Sequence, residues 1–310
     1  MGLFSNSKKL CPVCGSPTPR LLATVIGETP ICKKCAKKAD MPESVRQRMS
    51  VEEFCQYIAF YDGNQTLRNM FQETFRFDCG GWGNYMSIDM DHKLFRWKNE
   101  EEALVLEGSQ LRAFRILEDE RVLFESSPQG LKCYTSDIPA RAEAMAPMIS
   151  QFKIQMEQYR QMEKMDEMLK KNGGDGTSLY MSRPSFEGQV IRSLQIEMTL
   201  DHPYWGGVHR RDCEAPKFDD TCPSVDRFLR DYQGKLAELH ALAINLMIFI
   251  DPDAPEIQAG ASRGGTVAGE LRTLPVIDPV GEIQKYKALL DSGVITEEEF
   301  AAKKRQLLGI

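Results

Sequence analysis

Four of the nine cysteines in this 310-residue chain fall within its first 35 positions, as Cys11, Cys14, Cys32 and Cys35. They read C-x2-C, then seventeen residues, then C-x2-C. A C-x2-C step curls the backbone so that two sulfurs aim at one point. Two such steps supply the four tetrahedral thiolate donors that a structural zinc ion takes. Pro12 and Gly15 suit a tight first knuckle, because glycine adopts a positive φ without steric cost. Residues 21–26 are apolar and β-prone, Gly27-Glu28 turns them back, and residues 35–39 after the second knuckle read as a first helical turn. The order predicts a treble clef or zinc ribbon over residues 1–50. Four thiolates leave no ligand position open, so the expectation is one structural Zn2+ per chain. Two redox C-x2-C pairs are the competing reading, but they call for a βαβ setting that is absent here.

The other five cysteines (55, 79, 133, 213 and 222) are scattered, and an odd total argues against a fully paired secreted disulfide framework. The longest apolar stretch, 241–250, is half of what a bilayer requires, roughly 20 residues, and it contains Asn245. The start, MGLFSNSKKL, has no apolar signal core and fails the myristoylation pattern. The expectation is a cytoplasmic protein without a membrane span. Charge is uneven: residues 1–50 carry nine basic residues against three acidic, +6 locally, in a chain whose net charge is −6. A basic zinc module is one way to touch nucleic acid. Lysines beside cysteines also serve to offset the −2 of a four-thiolate zinc centre, and no aromatic interleaves them as a stacking platform.

Downstream, Ser50 to Glu53 forms a capping box ahead of Val51, Phe54, Tyr57, Ile58 and Tyr61 at helical spacing. Asn64 reads as the cap of a second short helix through Phe71. From Thr74 the period becomes two: 85–90 and 93–98 read as strands joined at Asp91-His92, and 111–117 and 121–125 as strands joined at 118–120. One small antiparallel sheet is expected. Residues 138–171 read as one long helix with an apolar stripe of Met145, Met148, Phe152, Met156, Tyr159 and Met162. That stripe either lies across the sheet or is a partner seam. A strand over 189–200, a loop after Asp201 and a helix over 224–247 follow. The fold class is α+β, divided into a zinc module at 1–50, a central domain at 51–251, a linker at 252–277 and a helical hairpin at 278–310. The linker is rich in Gly, Ala and Pro.

In the last stretch Asp278-Pro279 opens one helix, Ser292-Gly293 ends it, and residues 296–299 form a second capping box with Ile295 stapling onto Phe300. Two such short helices cannot stand alone. Leu289, Gly293, Ile295, Thr296, Glu299, Phe300, Lys303, Lys304, Leu307 and Leu308 closely resemble the pattern of the bacterial short C-terminal domain, SHOCT. That resemblance implies assembly or partner contacts without catalysis, carried by Ile283, Tyr286, Leu290, Ile295, Phe300 and Leu307. Met1 to Phe4, Cys14-Gly15 and Cys35-Ala36 resemble the start of a group of bacterial proteins that often end in SHOCT. Residues 114–122 are similar to a strand-turn-strand in their middle regions, which implies a pleckstrin-homology-like sheet.

Four histidines exist: His92, His202, His209 and His240. His92 in a turn and His240 on a helix read as structural. His202 and His209 with Cys213 and Cys222 form a conceivable second zinc site, although the spacing fits no regular finger. Asp201-His202 with Asp212 is a conceivable acid/base group. Residues 79–83 are glycine-rich but precede a strand, so they read as a hairpin loop and not as a phosphate cradle. The expectation is a non-catalytic adaptor or assembly protein that self-associates or docks a protein partner. The alternatives are a nucleic-acid-associated protein and an enzyme using the 201–213 loop.

Overall fold

The computed structural model describes residues 10–19, 21–81, 83–97, 102–171 and 182–261. The chain divides into units at 1–265 and 266–310, and all described residues belong to the first. The predicted hairpin at 278–310, with its six candidate docking residues, lies outside the described residues.

The first elements build the cysteine module. Strands β1 (Val25–Ile26) and β2 (Thr29–Pro30) form the short hairpin expected between the knuckles, turned at Gly27 with φ +55°. Helices α1 (Lys33–Lys37) and α2 (Glu43–Arg46) follow. Helix α3 (Val51–Gly63) starts at Ser50 with the predicted capping box, and its Phe54, Tyr57 and Tyr61 face inward. Helix α4 (Gln65–Met70) departs from expectation, because Asn64 does not cap it. The Asn64 amide instead donates to the Val105 carbonyl (2.9 Å) and accepts from the Val105 amide (3.0 Å). A side chain that imitates a strand neighbour satisfies two backbone groups at once, which a cap bond would not.

Two sheets replace the single one expected. Strands β3 (Phe75–Asp78), β4 (Tyr85–Asp89), β5 (Leu94–Arg96) and β6 (Leu106–Glu107) form an antiparallel sheet in chain order, with residues 79–81 and 83–84 in the hairpin connection between the first two. The second sheet has the order β11-β10-β7-β8-β9-β12. Its members are β7 (Leu111–Glu118), β8 (Arg121–Ser127), β9 (Gly130–Thr135), β10 (Leu194–Leu200), β11 (Gly207–Cys213) and β12 (Glu256–Ala261). All its pairs are antiparallel except β12, which lies parallel to β9. The turn between β7 and β8 is Asp119-Glu120, both at positive φ (47° and 66°). Asp119 compensates that conformation: its carboxylate accepts the amides of Arg192 (2.7 Å) and Ser193 (3.0 Å) and so delivers β10 to β7.

Strands β11 and β12 correct two expectations. Residues 201–213 are a loop only as far as 206, and the segment read as a linker from 252 contains β12. Both are edge strands. Strand β11 is polar on both faces, and β12 is rich in Ala and Gly, so neither shows apolar alternation. Buried Glu197 on β10 sits between its cross-strand neighbours Arg115 and Arg210, both at 2.5 Å, which pins the register of three strands.

The predicted helix over 138–171 is two helices, α5 (Ile138–Glu143) and α6 (Ala146–Lys171). Pro147 near the start of α6 lacks an N–H, and in a continuous helix its ring would clash with the carbonyl four residues back, at Glu143 where α5 ends, which breaks the run. The first half of α6 buries Ile149, Phe152 and Met156, and Phe152 meets Phe186 edge-on at 5.4 Å. The ring series continues through Phe218, Phe228 and Tyr232. The second half leaves Met165, Met168 and Leu169 exposed. Helix α7 (Val225–Ile250) runs from its Ser224 cap along β7, β8 and β9 and reaches the other sheet, where Phe249 stacks on Phe95 at 5.9 Å. Its buried stripe (Phe228, Tyr232, Leu239, Leu242, Leu246) therefore holds both sheets to one core. Among the described residues no helix is long and apolar enough to cross a membrane.

Candidate metal centre

The four N-terminal sulfurs converge as their spacing predicts. Cys11, Cys14, Cys32 and Cys35 place their Sγ atoms within 4.8 Å of one another. Cys14 lies 3.4 Å from Cys32 and 3.6 Å from Cys35. A tetrahedral ion with metal–sulfur bonds of about 2.3 Å sets its sulfurs about 3.8 Å apart, so the cluster matches the shape of a four-thiolate metal site.

Local backbone chemistry makes this geometry. The Cys11 amide donates to the Ser16 carbonyl and the Gly15 amide to the Cys11 carbonyl, both at 2.8 Å, closing the first knuckle with Gly15 at φ +71°. Cys32 is the cap of α1, and its sulfur accepts the Cys35 amide at 3.4 Å. The thiols are electrostatically unequal. Donation from the Ser16 hydroxyl and amide brings Cys14 down to about 6. Burial works against ionisation of Cys11, yet the amides of Cys32, Cys14 and Val13 outweigh it and lower its pKa. Burial and the neighbouring sulfurs push Cys35 up. A cation at the centre would hold all four as thiolates and tie the module's strands and helix to one point.

The module is bound to the rest of the unit through Asp40. The Tyr57 hydroxyl of α3 accepts the Asp40 amide (2.9 Å) and donates toward the Lys38 carbonyl (2.7 Å). The Asp40 carbonyl accepts the Trp205 indole N–H (2.9 Å), and the Asp40 carboxylate accepts the Leu104 amide (2.7 Å). Cys11, Cys32 and Cys35 thus share one continuous core with Phe54 and Tyr57.

The second zinc site considered over 202–222 does not assemble. His202 is buried, and its Nδ1 accepts the amides of Tyr204 (3.1 Å) and Trp205 (2.9 Å), a turn-forming role. Burial drives its pKa down to about 4, so the ring is neutral. His209 Nε2 donates to the Trp205 carbonyl (2.8 Å). Cys222 is exposed, while Cys213 is buried and its thiol faces Cys79 across the sheets. The Cys213 thiol, then Arg211 and Lys235, bring Cys79 to about 7 against its burial. The acid/base group also disperses: Asp201 pairs with Arg112, and Asp212 accepts from Gln195 at 2.8 Å. His92 is structural as expected, with Nδ1 at 2.8 Å from buried Asp89. Of the module's basic residues, Lys38 is paired with Asp62 and Arg46 with Glu43, while Lys33, Lys34, Lys37 and Arg48 are exposed.

Sequence reasoning missed one grouping. Cys133 on β9, His240 on α7 and Glu256 on β12 also bring their ligand atoms within 4.8 Å of one another. No short motif links them, because the parallel pairing of β12 with β9 creates the proximity.

Fold and site together describe an α+β protein whose N-terminal cysteines are arranged to hold a metal ion. Residues 282–308 match the family described as SHOCT, Short C-terminal domain. The match covers the stretch whose pattern led to that expectation. No curated protein and no solved structure matches the chain.

Proposed function

We propose that this chain is a non-catalytic assembly or adaptor protein. In this reading a structural Zn2+ at Cys11, Cys14, Cys32 and Cys35 rigidifies a treble-clef or ribbon-like module, a pleckstrin-homology-like central sheet forms the body, and the SHOCT segment mediates self-association or docks a protein partner. The observation that carries it is the coincidence of a closed four-thiolate cluster with a SHOCT match at 282–308. Zinc is the ion of choice because thiolate donors favour it and a four-sulfur tetrahedron leaves no position for substrate. The exposed Met165, Met168 and Leu169 at the end of α6 supply soft apolar surface of the kind that adaptable interfaces use.

Truncation after Ile277 tests the reading. The full chain should form a defined oligomer or retain a partner in light scattering and pull-down. The truncated chain should lose that assembly while the melting temperature of the remaining body stays unchanged. A full chain that is monomeric and retains no partner refutes it. Salt-dependent binding of an oligonucleotide at low ionic strength, abolished by charge reversal at Lys33, Lys34 and Lys37, would move the reading to nucleic-acid association.

A further inference from the structure

Cys133, His240 and Glu256 come from three elements that are distant in sequence and meet at one point beside α7. His240 Nε2 lies 3.1 Å from Glu256 Oε2. Nitrogen and oxygen ligands on a tetrahedral ion with bonds of about 2.0 Å stand about 3.3 Å apart, so this edge already has the required length. The Cys133 thiol forms the buried floor, while the His240 and Glu256 side chains, 36% and 44% exposed, form a rim open to solvent. The Phe124 ring, 5.3 Å from the imidazole, backs His240 on the side of β8.

The backbone holds Glu256 in place. The Leu131 amide donates to the Pro255 carbonyl at 2.9 Å, and Gly130 at φ +131° lets the two strands approach. A Cβ at Gly130 would stand 2.1 Å from the Pro255 oxygen. This close approach puts the first residue of β12 beside Leu131, within reach of Cys133 two residues on.

We propose that Cys133, His240 and Glu256 form a second metal site, which binds Zn2+ through three protein ligands and leaves the fourth position to water. A surface ion pair accounts for the imidazole and the carboxylate but makes no use of the thiol beneath them. Sulfur, nitrogen and oxygen donors together suit zinc, whereas calcium and magnesium take all-oxygen shells. The site differs in kind from the N-terminal cluster: that one is closed by four sulfurs, and this one is open.

The test is a Zn2+ titration of the full chain, followed by native mass spectrometry and, with Co2+, by absorption spectroscopy. The wild type should bind two equivalents. His240→Ala and Glu256→Gln should each weaken the second equivalent by at least about 100-fold, since even outer-shell changes cost 10- to 100-fold. Cys133→Ser should remove the sulfur-to-cobalt charge-transfer band of the second site. Because the His240 and Glu256 side chains sit on the solvent rim and not in the core, the melting temperature of the metal-free chain should shift little in the first two variants, which separates lost binding from lost folding. A single equivalent in the wild type overturns the proposal. So does a second equivalent that both substitutions leave intact.

Discussion

Replacing Tyr57 by Phe deletes one oxygen from the seam between the cysteine module and α3, and the structure sets the size of the effect. The ring is fully buried, lies 5.8 Å from Phe54 and meets Tyr204 edge-on at 4.8 Å, so its packing survives the change. The hydroxyl's bonds to the Asp40 amide and the Lys38 carbonyl are lost. Neither group is stranded completely, because the Asp40 amide also donates to the Lys38 carbonyl at 2.8 Å. The cost is therefore that of two hydrogen bonds without an orphaned donor, about 1–2 kcal/mol. For a unit of this size, that lowers the melting temperature by about 2–8 °C. Tyr57→Ala also removes the ring and should cost about 3–5 kcal/mol. Calorimetry of the metal-loaded chains, run side by side, reads both values. A Phe variant that melts with the wild type, or an Ala variant no worse than Phe, would refute the view that this tyrosine fastens the module to the body.

Three further outcomes follow from the same geometry. Burial, with added repulsion from Asp119 and Asp137, raises the Glu118 carboxyl from 4.5 to about 7 against the opposing Ser136 and Tyr232 hydroxyls. The folded chain thus holds that proton more tightly than the unfolded chain. Stability present below about pH 4.5 falls as pH rises through 7, by about 3 kcal/mol, and Glu118→Gln should erase that difference between pH 4.5 and 8; parallel wild-type and variant profiles in a pH-resolved melt would contradict it. Stripping metal with a chelator should abolish amide protection across residues 10–41 and weaken it at the start of α3, since the cysteines and Phe54 share one core; unchanged hydrogen exchange would show that no ion orders the module. Gly130→Ala should cost about 1–3 kcal/mol, because its Cβ meets the Pro255 oxygen and its φ is strained. Loss of exchange protection should then be concentrated at 256–258, and an intact β12 would argue against that close approach.

What could be read from the sequence was local. The four-cysteine cluster was legible because a knuckle is a four-residue device, and a C-x2-C step allows its sulfurs few directions. The Ser50 capping box was legible for the same reason, because its partners stand three residues apart, and the SHOCT pattern was legible because it lies in one contiguous stretch, 282–308. The long run over 138–171 misled because its apolar period passes unbroken through Pro147. There the missing N–H and the clash of the proline ring with the preceding turn outweigh periodicity.

Tertiary structure decided everything that depends on pairing between distant segments. Strand β11 is an arginine-bearing edge that carries no apolar alternation of its own, and only its partner β10 makes it a strand. Strand β12, in a segment that composition marks as a linker, exists because Gly130 lets the chain come close enough to extend the sheet in parallel. That one pairing also brings Glu256 to Cys133 and His240. The physical reason is the same throughout. A turn, a cap or a knuckle is stabilised by atoms a few bonds away and is therefore written in adjacent residues. A sheet edge or a site shared by three elements is stabilised by atoms that only the folded core brings together.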